Sequence, residues 1–584
     1  MNSSRHWQNP QADEQQILQW QTKSEPSYSV HDQRRSANYK PNIWKYEFLE
    51  SLNSKFDQGE CYRIQIQKLI EDVKEMFVDC KESDLITKLE LIDSIQKLGL
   101  NNNFEKEIKK ALDTIAFVEL ENNSNPYISS TCDLYAAALL FKILRQHGYK
   151  VSQDIFGGLM DEMGTLKKNT LGDVKGMLEM LEASNLALEG ENILEEAKSF
   201  LMVTLRETNT RCDDIDNCIS KHVTYALELP SQRRVQWFNV KWHIKFYEKD
   251  HTDQANMTTL LELAKLNFNM VQATLQKDLR EVSMWWNNLG LNKNLDFARD
   301  RLVECFMSAV GLAFEPEYQS FRKWITKVIN LILIIDDVYD VYGSLEELKH
   351  FTNVVERWDI RETELLPECM KICFQVLYNT TCEIAYEIEE ENGWNQVLPH
   401  LRKVWGDFCK ALLVEAEWYN KAYTPSFEEH LSNGCISSSA SLILTLAFFS
   451  TTHDEGAKNF ADFLHKNEDL VYNISLILRL LNDLGTSAAE QERGDAASSI
   501  LCYMREANAS EEIARKHIKG MIDNAWKKIN EKCFTQMPEI SSFINIMTNI
   551  ARVGHSLYQD GDGFGDQEHG TRRQIQSLLV EPLS

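Results

Sequence analysis

Val328 to Tyr342, VINLILIIDDVYDVY, carries eight apolar or amide residues straight into three carboxylates, Asp336, Asp337 and Asp340. At about 100° per residue a helix places Asp336 and Asp340 about 40° apart on one face, one turn apart, and turns Asp337 away. Acids ending a helix that is apolar on every side are costly to bury without a cation. A hard divalent ion suits them, because magnesium takes one or two protein carboxylates and completes its shell with water and substrate phosphate oxygens. The spacing therefore predicts a diphosphate-bearing substrate; a solvated helix end would display the same residues.

A second array lies in LNDLGTSAAEQERGD, Leu481 to Asp495, where Asn482, Thr486 and Glu490 recur at i, i+4 and i+8 within about 80° of arc. Along a regular helix the outer two are about 12 Å apart. One small ion would then need Glu490 to reach back, or the helix to distort near Gly485, and some of both is expected. Arg479, three residues upstream of Asn482, offers a planar fork for phosphate oxygens. A third cluster, Arg299-Asp300-Arg301, precedes Asp336 by about one helix and a turn. Alone it could be a surface salt-bridge cluster, and the second array alone could be a polar helix face; it is the conjunction that points to chemistry.

In the order RDR, DDVYD, RLLNDLGTSAAE the chain resembles the class I terpene synthases of plants, over nearly its whole length. Arg34-Arg35, eight residues, then Trp44 resembles the RRx8W element of the angiosperm branch rich in monoterpene synthases. Within that branch Asp32 to Trp44, FARDRLVECF and HSLYQDGDGFGDQE are most similar to the members that form the acyclic sesquiterpene (E,E)-α-farnesene. The resemblance implies a lyase that ionises (2E,6E)-farnesyl diphosphate and deprotonates the cation to (3E,6E)-α-farnesene plus diphosphate. It implies three magnesium ions, with manganese able to substitute. Asp336 and Asp340 would hold two of them, and Asn482, Thr486 and Glu490 the third. Arg301 and Arg479 would contact diphosphate, Arg299 would be a lid contact, and Asp337 would orient a ligand or a metal-bound water. Candidate cation walls are Tyr339, Tyr558 and Phe564, and Asp562 would help close the site. Acyclic monoterpene synthesis ((E)-β-ocimene or linalool from geranyl diphosphate) and nerolidol synthesis are the alternatives within the class, and a helical scaffold with no activity is the alternative outside it.

Departures from the family matter as much. Cyclising monoterpene relatives often carry Trp where Ser308 stands and His where Phe564 stands, so Ser308 would leave room for a longer isoprenoid tail. Many relatives have a lysine eight residues after the motif glutamate, where this chain has Ser498, so that diphosphate contact cannot be carried over. A chain-elongating prenyltransferase would favour a second DDxxD in place of Asn482 to Glu490.

The elements that must position these groups are helices. The 584 residues exceed one ordinary core, and only 11 Pro and 24 Gly interrupt them. Segments such as LITKLELIDSIQKLGL, FEKEIKKALDTIAFVEL and LYAAALLFKILRQHGY place apolar residues three and four apart, with no competing strand pattern. The expectation is an all-α protein of two helical domains, an N-terminal α-barrel-like domain and a C-terminal class I terpenoid synthase bundle. The divisions expected are a flexible segment 1–33, a non-catalytic domain 34–245 and a catalytic domain 246–584. The junction falls near Leu229-Pro230-Ser231, with Trp237 and Trp242 as interdomain core, and Met257 to Trp286 forms one long helix. Asp213-Asp214-Ile215-Asp216 lacks the DxDD arrangement of a class II cyclase and reads as a loop. Gly561, Gly563 and Gly565 mimic a nucleotide loop, but no strand precedes them; a lid loop fits better.

A formal charge of −26 argues against nucleic acid as a partner. Thirteen cysteines, odd in number and without a CxxC, indicate neither a disulfide framework nor a zinc site. No apolar stretch is expected to span a membrane. Residues 1–33 hold Arg5 and Lys23 against Asp13, Glu14, Glu25 and Asp32, whereas a plastid transit peptide is basic and acid-poor. A cytosolic location is therefore expected ahead of a plastid one, and the protein is expected to be a monomer.

Overall fold

A computed structural model describes residues 37–57, 60–79, 85–118, 133–161, 166–167, 172–211, 218–250, 255–291, 294–452, 460–493, 497–534, 540–565, 567 and 569–584. Arg34, Arg35 and residues 213–216 lie outside the described residues, as does the segment 1–33. Among the described residues there is no strand, only an isolated bridge between Met160 and Leu166.

The helices of the N-terminal half are α1 (Tyr46–Glu50), α2 (Glu60–Asp79), α3 (Leu85–Lys97), α4 (Glu105–Ala116), α5 (Leu134–Gln146), α6 (Val174–Ser184), α7 (Asn192–Arg211), α8 (Cys218–Glu228) and α9 (Gln236–Asp250). Then follow α10 (Ala255–Leu289), α11 (Leu302–Leu312), α12 (Gln319–Asp337), α13 (Leu345–Arg357), α14 (Glu368–Asn392), α15 (Val397–Asn420) and α16 (Phe427–Ser437). The last are α17 (Ala440–Thr451), α18 (Phe460–Lys466), α19 (Glu468–Arg493), α20 (Ser499–Ala507), α21 (Glu511–Phe534), α22 (Ser541–Tyr558) and α23 (His569–Ile575). The expected long helix is α10, and the expected division at 245 and 246 falls inside α9.

Helix α12 is buried along nearly its whole length, as a helix apolar on all sides must be. It packs on α10, α11, α14 and α17, while α19 packs on α16, α17, α21 and α22. Those contacts set α12 and α19 on opposite sides of one cavity. Trp237 is fully buried and stacks on Phe268 at 4.5 Å and Phe314 at 5.0 Å. It is thus core between α9 and the C-terminal helices. Trp242 stacks instead on Tyr225 of α8 at 4.0 Å, within the N-terminal half.

One stretch, Phe427–Thr451, is long and apolar enough by length and composition to cross a membrane, contrary to the sequence expectation. Its most apolar window is 67% buried inside the protein, and Ser439, at φ +63°, divides it into α16 and α17. A left-handed residue ends the i→i−4 ladder, so the stretch is two core helices rather than one span.

Candidate active site

Carboxylates and amides meet across the cavity as their spacing required. Asp336 and Asp340 line it from the α12 side, and Arg479, Asn482, Thr486 and Glu490 line it from α19. Past Asp337 the backbone widens into a π-turn, Val338–Tyr342, closed by the Gly343 N–H donating to Val338 O at 2.8 Å. Such turns rarely extend beyond one turn and often mark functional sites. Here the turn carries exposed Asp340 to the cavity while Tyr339 and Val341 stay buried.

Asp337 turns away, fully buried, and accepts the Arg299 backbone N–H at 2.7 Å, with Arg299 Nε 2.9 Å from its other oxygen. Burial pushes its carboxyl up to about 6, against the pull of Arg299. The same guanidinium donates to Asp336 at 2.6 Å and lies over the Tyr39 ring. Arg299, which itself lines the cavity, thus ties the two acids together.

Helix α19 runs unbroken from Glu468 to Arg493, so there is no distortion at Gly485. That glycine serves a close approach instead: a Cβ there would sit 3.1 Å from Gly561 O and from Tyr558. Any shared ion on this side therefore depends on the reach of Glu490. Arg479 donates to Asn482 Oδ1 at 2.7 Å and to Asp483 Oδ1 from both Nε and Nη2. Asp483 was not singled out from the sequence, although an acid four residues after an arginine on a helix is a signal for such a pair. It is fully buried and also accepts from His430 Nε2 and from Ser499 N–H, both at 2.9 Å. Burial alone would raise its carboxyl; the charge of Arg479 and these hydrogen bonds hold it well below the usual range.

Arg301 requires a correction. Expected to grip diphosphate, it is fully buried and does not line the cavity. Its guanidinium donates to the carbonyls of Phe564 (2.8 Å), Asp300 (2.9 Å), Lys40 (2.9 Å) and Gly565 (3.4 Å). It clasps the 37–45 strap to the loop after α22. Beside it Glu304 Oε1 accepts from Trp44 Nε1 at 3.0 Å and Gln567 Nε2 at 2.7 Å, which gives the RRx8W tryptophan a place in the same clasp. Tyr39, from that strap, lines the cavity. We expect Arg301→Lys to loosen this clasp and to lower kcat/KM about 10- to 100-fold. A lysine keeps the charge but lacks the fork that satisfies several carbonyls. Full activity of the lysine variant, read by steady-state kinetics with product analysis, would return Arg301 to a purely charge-based role.

Tyr558, Phe564 and Asp562 line the cavity, but Tyr339 does not: its hydroxyl shares a 2.7 Å hydrogen bond with Thr352 on α13. The glycine-rich turn follows the C-terminal end of α22, where the helix dipole repels anions, and Gly563 packs against the Leu557 backbone. It covers the site and offers no phosphate cradle. Ser308 and Ser498 also line the cavity, with the Ser308 hydroxyl tied to Glu304 O at 2.9 Å.

Asp336, Asp340, Asn482, Thr486 and Glu490 all offer oxygens to the cavity, which suits a hard divalent ion, while the Nε2 of His430, which also lines it, is taken by Asp483. Among the described residues no three His, Cys, Asp or Glu side chains close on one point. This fits ions whose shells are completed by a phosphate-bearing substrate rather than by a closed protein cage.

Residues 43–227 match the terpene synthase N-terminal domain, and residues 287–528 match the terpene synthase family metal-binding domain. The chain belongs to the terpene synthase family. This terpene synthase is 68% identical over 578 residues to the (E,E)-alpha-farnesene synthase of Malus domestica, covering 98% of each chain. Its fold matches limonene synthase in complex with 2-fluorolinalyl diphosphate, at a TM-score of 0.88 and 38% identity, over 94% of this chain and 100% of that one. It also matches isoprene synthase from grey poplar in complex with three Mg2+ ions and dimethylallyl-S-thiolodiphosphate, at 0.82 and 40% identity, over 93% and 99%. The two-domain all-α architecture expected from the sequence is the architecture of this terpene synthase.

Proposed function

We propose that this terpene synthase is a sesquiterpene-forming lyase that converts (2E,6E)-farnesyl diphosphate into (3E,6E)-α-farnesene and diphosphate. The observation that carries the reading is the cavity itself, with two facing oxygen arrays at one end and mainly aliphatic walls at the other, including Ile329, Ile332, Leu333, Ile443, Ile550 and Val553. The near full-length identity to an alpha-farnesene synthase supports it.

Magnesium, when bound, would neutralise charge on the departing diphosphate; we propose three ions, with manganese able to substitute. Asp336 and Asp340 would hold ions from α12 and the π-turn, and Asn482, Thr486 and Glu490 from α19. Arg479 grips phosphate oxygens while Asp483 fixes its fork. Arg299 holds Asp336 in register. The Tyr39 strap and the Asp562 loop exclude water, so the allylic cation meets no nucleophile. Tyr558 and Phe564 present ring faces to it. Small Ser308 leaves space for the third isoprene unit. Loss of a proton from the carbon next to the allylic cation, without ring closure, gives the acyclic product. We propose that the monomer is active.

The test is incubation of the purified full-length chain with magnesium and either farnesyl or geranyl diphosphate, with volatiles read by gas chromatography and mass spectrometry. α-Farnesene from the longer substrate at the higher kcat/KM is expected. Efficient turnover of geranyl diphosphate alone would overturn the assignment in favour of an acyclic monoterpene synthase.

A further inference from the structure

On the far side of the α16–α17 break lies a mainly apolar groove of about 720 Å³, walled by α15, α16, α17, α18 and the start of α19, with Lys403, Asp407, Lys410 and Glu468 also on its lining. Phe408, Ala411, Leu442, Leu444 and Val471 form its floor and sides. Val414, Ile436 and Tyr472 stand at its edge, 38%, 43% and 48% exposed. Ser439 is the one described residue that lines both this groove and the active-site cavity.

Ser439 is a weak partition. Its left-handed backbone, at φ +63°, is strained for a residue other than glycine. Its side chain is small and reaches only the neighbouring Ser438 carbonyl, at 2.6 Å. Terminal residues between two helices are where backbone rotation is most easily absorbed.

The other route out is poorly matched to a hydrocarbon. Asp336, Asp340, Arg479, Asn482 and Glu490 ring the diphosphate end, and the strap clasped by Arg301 covers it. An uncharged product gains nothing from those groups, whereas apolar area it covers in the groove contributes about 25 cal/mol per Å².

We propose that the groove is a binding site for the apolar hydrocarbon product, reached through the Ser439 break, and that product leaves by it rather than past the metal-binding end. The proposal rests on the reading above that the product is an acyclic C15 hydrocarbon.

Two variants narrow the groove without touching the catalytic machinery: Ile436→Trp, at a half-exposed edge where folding is not at stake, and Ser441→Phe, beside the break. Each is measured by rapid-quench single turnover and by steady-state turnover on farnesyl diphosphate, next to wild type. In both variants α-farnesene forms in a single turnover within about twofold of the wild-type rate, while steady-state turnover falls about tenfold and a product burst appears, the signature of slowed release. Unchanged steady-state turnover, or parallel loss of both rates, overturns the proposal. Absence of α-farnesene from wild-type single turnover would instead overturn the assigned reaction.

Discussion

Asp336→Ala abolishes ionisation of farnesyl diphosphate, lowering kcat/KM by about three orders of magnitude or more, while far-ultraviolet circular dichroism and the melting temperature stay near wild type. Neutralising the leaving group supplies most of what this chemistry needs, and a thousandfold loss corresponds to about 4 kcal/mol of transition-state stabilisation. The fold does not depend on this side chain. Asp336 is about one-third exposed (32%), and its contact with Arg299 is the outer of two; Asp337, at 0% exposure, keeps Arg299 paired when Asp336 is gone. Because Arg299 keeps its buried partner, loss of this outer contact strands no buried charge. Release of diphosphate and retained helicity are therefore measured on the same preparation. Turnover within tenfold of wild type would sink the assignment of Asp336 to metal.

The contrast between these neighbouring acids shows what the sequence could say and where it stopped. Helical periodicity separates Asp336 from Asp337 correctly, because which face a side chain takes is a local property. The π-turn that carries Asp340 is not local in that sense: nothing in VYDVY distinguishes i→i+5 from i→i+4 closure. The oxygen face Asn482, Thr486, Glu490 was equally legible, whereas the distortion expected at Gly485 was not found. The glycine answers to a chain segment more than seventy residues away, at Tyr558 and Gly561. Arg301 fails for the same reason. Charge alternation in RDR says that two guanidiniums are present, but which of them meets carbonyls at Lys40 and Phe564 is decided by tertiary contacts spanning more than 250 residues. Tyr39 had no periodic neighbours to announce it. Motifs whose members share one helix can be read as sites from their spacing; members supplied by loops, such as Asp562 and Phe564, were named through resemblance alone.

Arg479→Ala should cost both chemistry and stability, and the two losses can be separated. The diphosphate loses its forked donor, lowering kcat/KM by about 10²- to 10³-fold, in the range seen when one preorganised electrostatic donor is removed. Asp483, fully buried, loses the charge that holds it ionised and keeps only His430 and Ser499. Removing one partner of a buried ion pair costs about 3–5 kcal/mol, a melting temperature lower by roughly 2–4 °C in a protein of this size. Arg479→Ala with Asp483→Asn takes away the stranded charge as well. The double variant recovers most of the melting temperature, because a neutral amide at that position needs no counter-charge, yet it remains as inactive as the single variant. Calorimetry and diphosphate-release kinetics on the two proteins decide the point. If activity returned together with stability, Arg479 would be a structural counter-ion for Asp483, and the phosphate grip would have to come from elsewhere in the cavity.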